Sequence, residues 1–278
     1  MTNKMLKMYI CGCVRNNGNY LEQVFQNIDK IIGEIDDYHI IMSYDISKDN
    51  SLDILRKKAV HYGAEKMTII EGNPDDITSI RTQNIAKARN RILENIVALN
   101  DVTEFDYFLM MDMDDVCASP IRMDGLRHIF EKERSVPLPW DALSFHRDDY
   151  YDIWALSIHP FSFSCWHYPS GSKVVKTMKK YITHILDQTT NKDALLPCIS
   201  AFNGFAIYRC SHFLNIRYEW DLEKTLDIIP RTYVETMTKQ LKERPMFHHE
   251  ECEHRCFHIH ASQHNGARIC ISPMKLFP

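Results

Sequence analysis

The chain has 278 residues, a length that suits one large α/β domain or two small ones. Hydrophobic residues make up 45% and charged residues 25%, the ordinary globular balance, so a core of useful size is available. A formal net charge of −4 excludes bulk attraction to nucleic acid and leaves only local basic patches to bind phosphates.

Met8 to Val14 is apolar and reads as a first strand. Arg15-Asn16-Asn17-Gly18-Asn19 makes a polar turn, and Leu21, Val24, Phe25, Ile28 and Ile31 follow at helical spacing. His39 to Tyr44 is a second strand. Asp45 to Asn50 is a polar turn, and Ser51 is expected to cap the next helix. Leu52, Leu55, Ala59 and Tyr62 give that helix its apolar face, and Gly63 stops it. Met67 to Ile70 is a third strand. After a loop from Gly72 to Asp76, a longer helix runs from about Thr78 to Asn100. Its buried stripe is Ile85, Ala88, Ile92, Ile96 and Leu99, flanked by Arg81, Arg89 and Arg91.

Phe105 to Val116 comes next, an aromatic and aliphatic run that ends in Asp112, Asp114 and Asp115. Unpaired buried carboxylates are costly, so the acids belong where the strand leaves the core. Alternation along extended chain puts Asp112 and Asp114 on one side, where two hard oxygen ligands can hold Mg²⁺ or Mn²⁺ bridging a diphosphate. Strands alternating with helices over about the first 115 residues argue for a parallel sheet covered by helices. Such sheets bind ligands at the carboxyl ends of their strands, where Arg15, Asp45 and Asp112 all fall.

The second half is less regular. Ile121 to Glu133 reads as a helix, Pro137 and Pro139 break the chain, and Asp141 to Phe145 is a strand. A charged and aromatic stretch from His146 to Asp152 precedes an aromatic-rich one from Phe161 to Pro169. Ser172 to Gln188 is a basic helix. Phe202 to Tyr208 is a turn into a strand, a last helix starts near His249, and Ile269 to Ile271 is a short closing strand. No linker is visible, which points to one domain with two halves, 1–117 and 118–278. No amino-terminal apolar run suggests a signal peptide, and no stretch reaches the roughly 20 apolar residues of a membrane span. The expectation is a cytoplasmic protein whose nine scattered cysteines are mostly free thiols.

The order of these pieces resembles the GT-A glycosyltransferases, and within them the capsule-associated, CAP59-like mannosyltransferases. The resemblance rests on Arg81 with Ile85 to Leu93, on Phe105 to Val116, and on Trp140 to Leu143. It continues through Tyr151 to Ala155, Ser200 to Tyr208, Glu251 to His254 and Gly266 to Pro273. It implies a mixed, mostly parallel Rossmann-like α/β sheet covered by helices, with a nucleotide-sugar-binding half and an irregular acceptor-binding half. It implies a nucleotide-sugar donor, GDP-mannose or a UDP-sugar, a glycan or glycoprotein acceptor, and Mn²⁺ or Mg²⁺ held by Asp112 and Asp114. Many such enzymes also place a metal-binding histidine after the closing strand. This chain has none beyond His264, so an earlier histidine, with His254 as the candidate, or phosphate and water complete the set.

On this reading Arg15 and Asp45 hold base and ribose, while Arg81 and Arg89 contact the diphosphate. Asp115 meets sugar hydroxyls, and Asn203-Gly204 lets the backbone approach the sugar. Glu251 and Glu253 are candidates for the acceptor's general base; two apart on a helix, only one of them can face the site. His146, Arg147, Asp149 and Trp166 are candidates to line an acceptor sugar. Rival readings remain open. The tail carries His248, His249, Cys252, His254, Cys256, His258, His260, His264 and Cys270, a density that suits a structural zinc site in a protein that binds nucleotide or glycan without chemistry. A nucleotidyltransferase also uses paired carboxylates, but the turn at Arg15 to Asn19 is a poor Gly-rich phosphate loop.

Overall fold

The computed structural model describes residues 4–99, 105–136, 138–168, 170–224, 231–232, 235, 239 and 250–278. The first half is the expected alternation: β1 (Lys7–Val14), α1 (Leu21–Ile32), β2 (Asp37–Tyr44), α2 (Ser51–Tyr62), β3 (Met67–Glu71), α3 (Arg81–Ala98) and β4 (Tyr107–Asp112). The second half adds α4 (Met123–Ser135), β5 (Ala142–Arg147), α5 (Gly171–Gln188), β6 (Leu196–Cys198), β7 (Phe205–Arg209), α6 (Cys210–Phe213), α7 (Glu253–Asn265) and β8 (Ile269–Phe277).

All eight strands form one sheet in the order β3-β2-β1-β4-β7-β5-β8-β6. β1 to β4 run parallel, β7 is antiparallel to both β4 and β5, and β8 is parallel to β5. This topology decides where loops meet. Because β7 runs backwards, its starting residue Phe205 lies beside Met111 at the finishing end of β4. β5 finishes at that same edge. The loops after β1, β2, β4 and β5 and the loop before β7 therefore converge on one side of the sheet.

Strand alternation sorts the core onto two faces. Met8, Ile10, Leu109 and Met111 pack with α1, α2 and α4, while Tyr9, Cys11, Phe108 and Met110 pack with α3, α6 and α7. Continuing that alternation, Asp112 lies on the α3 side. A third cluster joins α5 to Tyr150, Ile153 and Leu156.

Several expectations need correction. Ser51 is the first residue of α2, not its cap: Asn50 stands at the cap, and the Ser51 hydroxyl accepts the Asn17 amide at 2.9 Å instead. α3 starts at Arg81, because Thr78 is held in the preceding loop by both ends of the Asn84 amide. The closing strand β8 spans nine residues and passes through Pro273, with register shifts against β5 on either side of His146. β6 was not legible at all. α7 begins at Glu253, and His248, His249, Asn100, Pro137 and Pro169 lie outside the described residues. All nine cysteines are free thiols. No described helix is long and apolar enough to cross a membrane.

Candidate active site

The converging loops enclose a cleft of about 310 Å³. Its walls include Arg15 and Asn16 after β1, Asp45 after β2, Arg81 and Arg89 on α3, and Asp112 and Asp114 after β4. The two strand-end loops on the left lock each other. The Asn16 amide donates to Ser47 Oγ, the Lys48 amide to Asn16 Oδ1, and the Gly18 amide to Asp49 Oδ2. Asn16 takes a left-handed φ of 57° to make these contacts, a conformation asparagine tolerates. Asp45 is buried and held by Arg91, which also reaches Ser43 Oγ. Gly72 packs against this pair: a Cβ would lie 2.4 Å from Asp45 Oδ1 and 2.8 Å from the Arg91 guanidinium, so the two side chains would have to shift.

Across the cleft, Arg81 is exposed at the start of α3, whereas Arg89, two turns on, is buried. The Arg89 guanidinium pairs with Glu253 and lies 3.4 Å from Asp112. It sits over the rings of Phe202 and Tyr218, 4.9 and 5.6 Å from their centres. Burial alone would weaken its hold on the proton, but Glu253 and its other neighbours reverse this and raise its pKa. Arg89 is thus a fixed positive charge in an aromatic box, not a mobile surface arginine.

The acids respond to crowding. Burial pushes the Asp112 carboxyl up, against the pull of Arg89 and a hydrogen bond from the Tyr151 hydroxyl at 2.5 Å. Asp114 is raised to about 6, by burial first and then by the charge of Asp112. One Asp114 oxygen accepts the Val116 amide at 3.1 Å and so ends the strand cleanly. Sequence reasoning left Asp152 out of the site. It is raised to about 7 by burial and by the charge of Asp112, and it accepts the Ala155 amide. Its signal was present in the charged, aromatic stretch after β5, but its neighbours come from distant parts of the chain.

Other expected residues lie outside the cleft walls. Asp115 is exposed in the turn after β4. Asn203 and Gly204 have positive φ, 56° and 84°, and support the acids from behind rather than lining the cleft. Glu251 is fully buried, 3.2 Å from His167 and 3.3 Å from Arg255; burial pushes its pKa up, but Arg255 and the hydrogen bonds from His167 and the Cys252 amide outweigh this and lower it. Only Glu253 of the pair reaches the site's charges. His254 is buried and stacked on Phe202 at 3.7 Å, where burial and then Arg89 hold its pKa well below the usual histidine range, and neither ring nitrogen has a hydrogen-bond partner among the described residues. His258 hydrogen-bonds Ser200 and Tyr208, and His260 packs on His264. Among the described residues no group of three His, Cys, Asp or Glu side chains is placed to hold a metal ion, so the tail shows no zinc cluster there. Of the expected acceptor residues, His146 is buried against Asp187, Arg147 stacks on Tyr151, Asp149 pairs with Lys179, and Trp166 is 42% exposed.

No family model matches the chain, and no curated protein matches it. Solved structures do. The Staphylococcus aureus TarS fragment 1–349 in complex with UDP-GlcNAc matches with a TM-score of 0.50 at 12% identity, over 98% of this chain and 58% of that one. A Pyrobaculum calidifontis mannosyltransferase in complex with GDP-Man and Mn²⁺ matches with a TM-score of 0.42 at 12% identity, over 76% of this chain and 46% of that one. The chain therefore spans less than two thirds of the length of the structures it matches. At such identity the likeness to TarS shows a shared fold, the mixed α/β GT-A architecture expected above.

Proposed function

We propose that the protein is a metal-dependent glycosyltransferase that moves a sugar from a nucleoside diphosphate donor to a glycan or glycoprotein acceptor. One observation carries this reading: a single cleft at the carboxyl edge of a parallel sheet sets Arg81 and Arg89 against Asp112 and Asp114. Opposed cations and carboxylates suit a diphosphate bridged by a divalent cation. The fold likeness agrees with it. Residues 1–117 supply most of the donor side and 118–278 shape the acceptor side.

The carboxylates fit the implied cation. Asp112 and Asp114 offer hard oxygen donors of the kind Mn²⁺ and Mg²⁺ take, and their mutual repulsion, seen in the raised Asp114, is what a cation would relieve. With no protein side chain placed as a third ligand among the described residues, donor phosphate and water would complete the shell. When bound, the metal supplies neutralisation of the charge that develops on the departing diphosphate. The protein's own residues do the rest. Arg89 offers a preorganised charge whose position Glu253 and two rings fix. Arg81, exposed at the rim, is free to close on the phosphates. Asp45 presents a carboxylate to the ribose hydroxyls, with Arg15 and Asn16 beside the base. Asp115, exposed beside the acids in the turn after β4, is the residue to test against the sugar hydroxyls, and the Asn203-Gly204 turn supports the acids from behind. Of the two base candidates only Glu253 reaches the site's charges, through its pair with Arg89, whereas Glu251 is held by His167 and Arg255. GDP-mannose and UDP-sugars are the donors to test first, in line with the family resemblance.

The test is release of nucleoside diphosphate from a panel of UDP- and GDP-sugars with Mn²⁺ present. The reading predicts turnover of one donor class, abolished by Asp112→Ala and by Asp114→Ala while both variants stay folded. Unchanged turnover in those variants would overturn it.

A further inference from the structure

Asn203 does not line the cleft, yet two of its three side-chain hydrogen bonds end at the Tyr151–Asp152 segment, which touches Asp112. Asn203 is 3% exposed and has a left-handed φ of 56°. Its Nδ2 donates to the Phe145 carbonyl at 3.0 Å, which anchors it to β5. Its Oδ1 accepts the Tyr151 amide at 3.2 Å and the Asp152 amide at 3.4 Å. Tyr151 in turn donates its hydroxyl to Asp112 Oδ2. The next residue completes the frame: the Gly204 carbonyl accepts the Asp112 amide at 2.9 Å and the Cys117 thiol at 3.2 Å. A Cβ on Gly204 would lie 2.5 Å from Val116 Cγ1 and 3.3 Å from the Tyr151 hydroxyl, so the turn and the tyrosine are fitted to each other.

Two consecutive residues of positive φ make a sharp turn that asparagine and glycine tolerate, and side-chain and backbone contacts on both hold it in place. Here two of the contacts bear on one carboxylate. Gly204 fixes the Asp112 backbone and Tyr151 fixes its side chain. We propose that Asn203 is a positioning residue, which sets the Asp112 carboxylate through Tyr151 and holds Asp152 in register with it. The inference rests on the proposed function only for its catalytic consequence. The positioning itself is a statement about geometry.

The test begins with a measurement that needs no activity. In protein labelled with 3-fluorotyrosine, the Tyr151 ¹⁹F resonance is assigned by its absence in Tyr151→Phe. Asn203→Gly keeps the backbone conformation and deletes the side-chain hydrogen bonds. It should move that resonance, which reports the hydroxyl bonded to Asp112, while leaving the other resonances in place. An unmoved resonance overturns the inference. Should Asn203→Gly fail to fold, hydrogen exchange in the unmutated protein decides the matter. The Tyr151 and Asp152 amides should be protected as a pair, and exchange at the rate of an unstructured peptide overturns the inference.

Turnover then tests the consequence. Loss of a residue that orients a ligand-bearing side chain lowers activity by about 10- to 100-fold. Asn203→Gly and Tyr151→Phe should each show such a loss in kcat, and the double variant should be no worse than the poorer single one. Losses that multiply would mean that Asn203 does not act through Tyr151. A parent protein without turnover would count against the transferase reading and leave the resonance and exchange results to judge the positioning.

Discussion

Replacing Arg89 with methionine tests whether the site's central charge is held as described. The Arg89 and Glu253 side chains are only 6% and 7% exposed, so solvent cannot stand in for the lost partner. Methionine fits the apolar box of Phe202 and Tyr218 and keeps most of the packing, which isolates the electrostatic loss. Removing one member of a buried ion pair costs about 3–5 kcal/mol, because the other is left buried and uncompensated. At about 2–4 °C per kcal/mol for a domain of this size, the melting temperature should fall by roughly 6–20 °C at pH 7.5. Adding Glu253→Gln should recover at least half of that loss, since it removes the orphaned charge. Chemical denaturation of the parent, Arg89→Met and the double variant measures both effects. A stability for Arg89→Met within about 1 kcal/mol of the parent, or a double variant no better than the single, would refute the buried-pair account.

Asp152 gives a pH signature. Its folded pKa of about 7 lies above the unfolded carboxylate value, so the folded state binds more protons between roughly pH 4 and pH 7. Its contribution therefore lowers stability as pH rises through that window. Asp152→Asn should melt higher than the parent at pH 8 and equal to it near pH 4; an advantage independent of pH would contradict this. Gly204→Ala places a Cβ into Val116 at a φ of 84° and should destabilise by about 1–3 kcal/mol in urea, where a neutral result would mean that the turn relaxes. Gly72→Ala, which presses on Asp45 and Arg91, should weaken donor binding more than it lowers the melting temperature. Equal donor affinity by calorimetry would remove Asp45 from the donor site.

The first half of the fold was legible because each strand and helix there carries its own periodic apolar pattern. Asp112 was legible for the same reason: Phe108, Met110 and Asp112 alternate on one face, and a carboxylate ending such a row must lie at the sheet edge. β6 and the length of β8 were not legible. β6 has three residues, one of them proline, and β8 runs through Pro273, which lies in the register shift between Ser272 and Lys275 where it is not paired with β5. Glu251 and Glu253 could be told apart only in space, since what buries the first is His167, from a loop more than 80 residues earlier. Asn203 was named for another role, but its link to Tyr151 and Asp152 was not legible, because no local pattern joins the three. Their meeting depends on β7 running against β4 and β5, which brings the start of one strand beside the ends of two others.

The central claim is that Asp112 and Asp114 hold a divalent cation together with a nucleoside diphosphate sugar. Isothermal titration of UDP-GlcNAc, GDP-mannose and their nucleoside diphosphates, with Mn²⁺ and with chelator, tests it most directly. The account predicts binding of one nucleotide class that requires Mn²⁺ and is lost in Asp114→Ala. Binding that ignores both Mn²⁺ and Asp114, or no binding by any member of the panel, would contradict it.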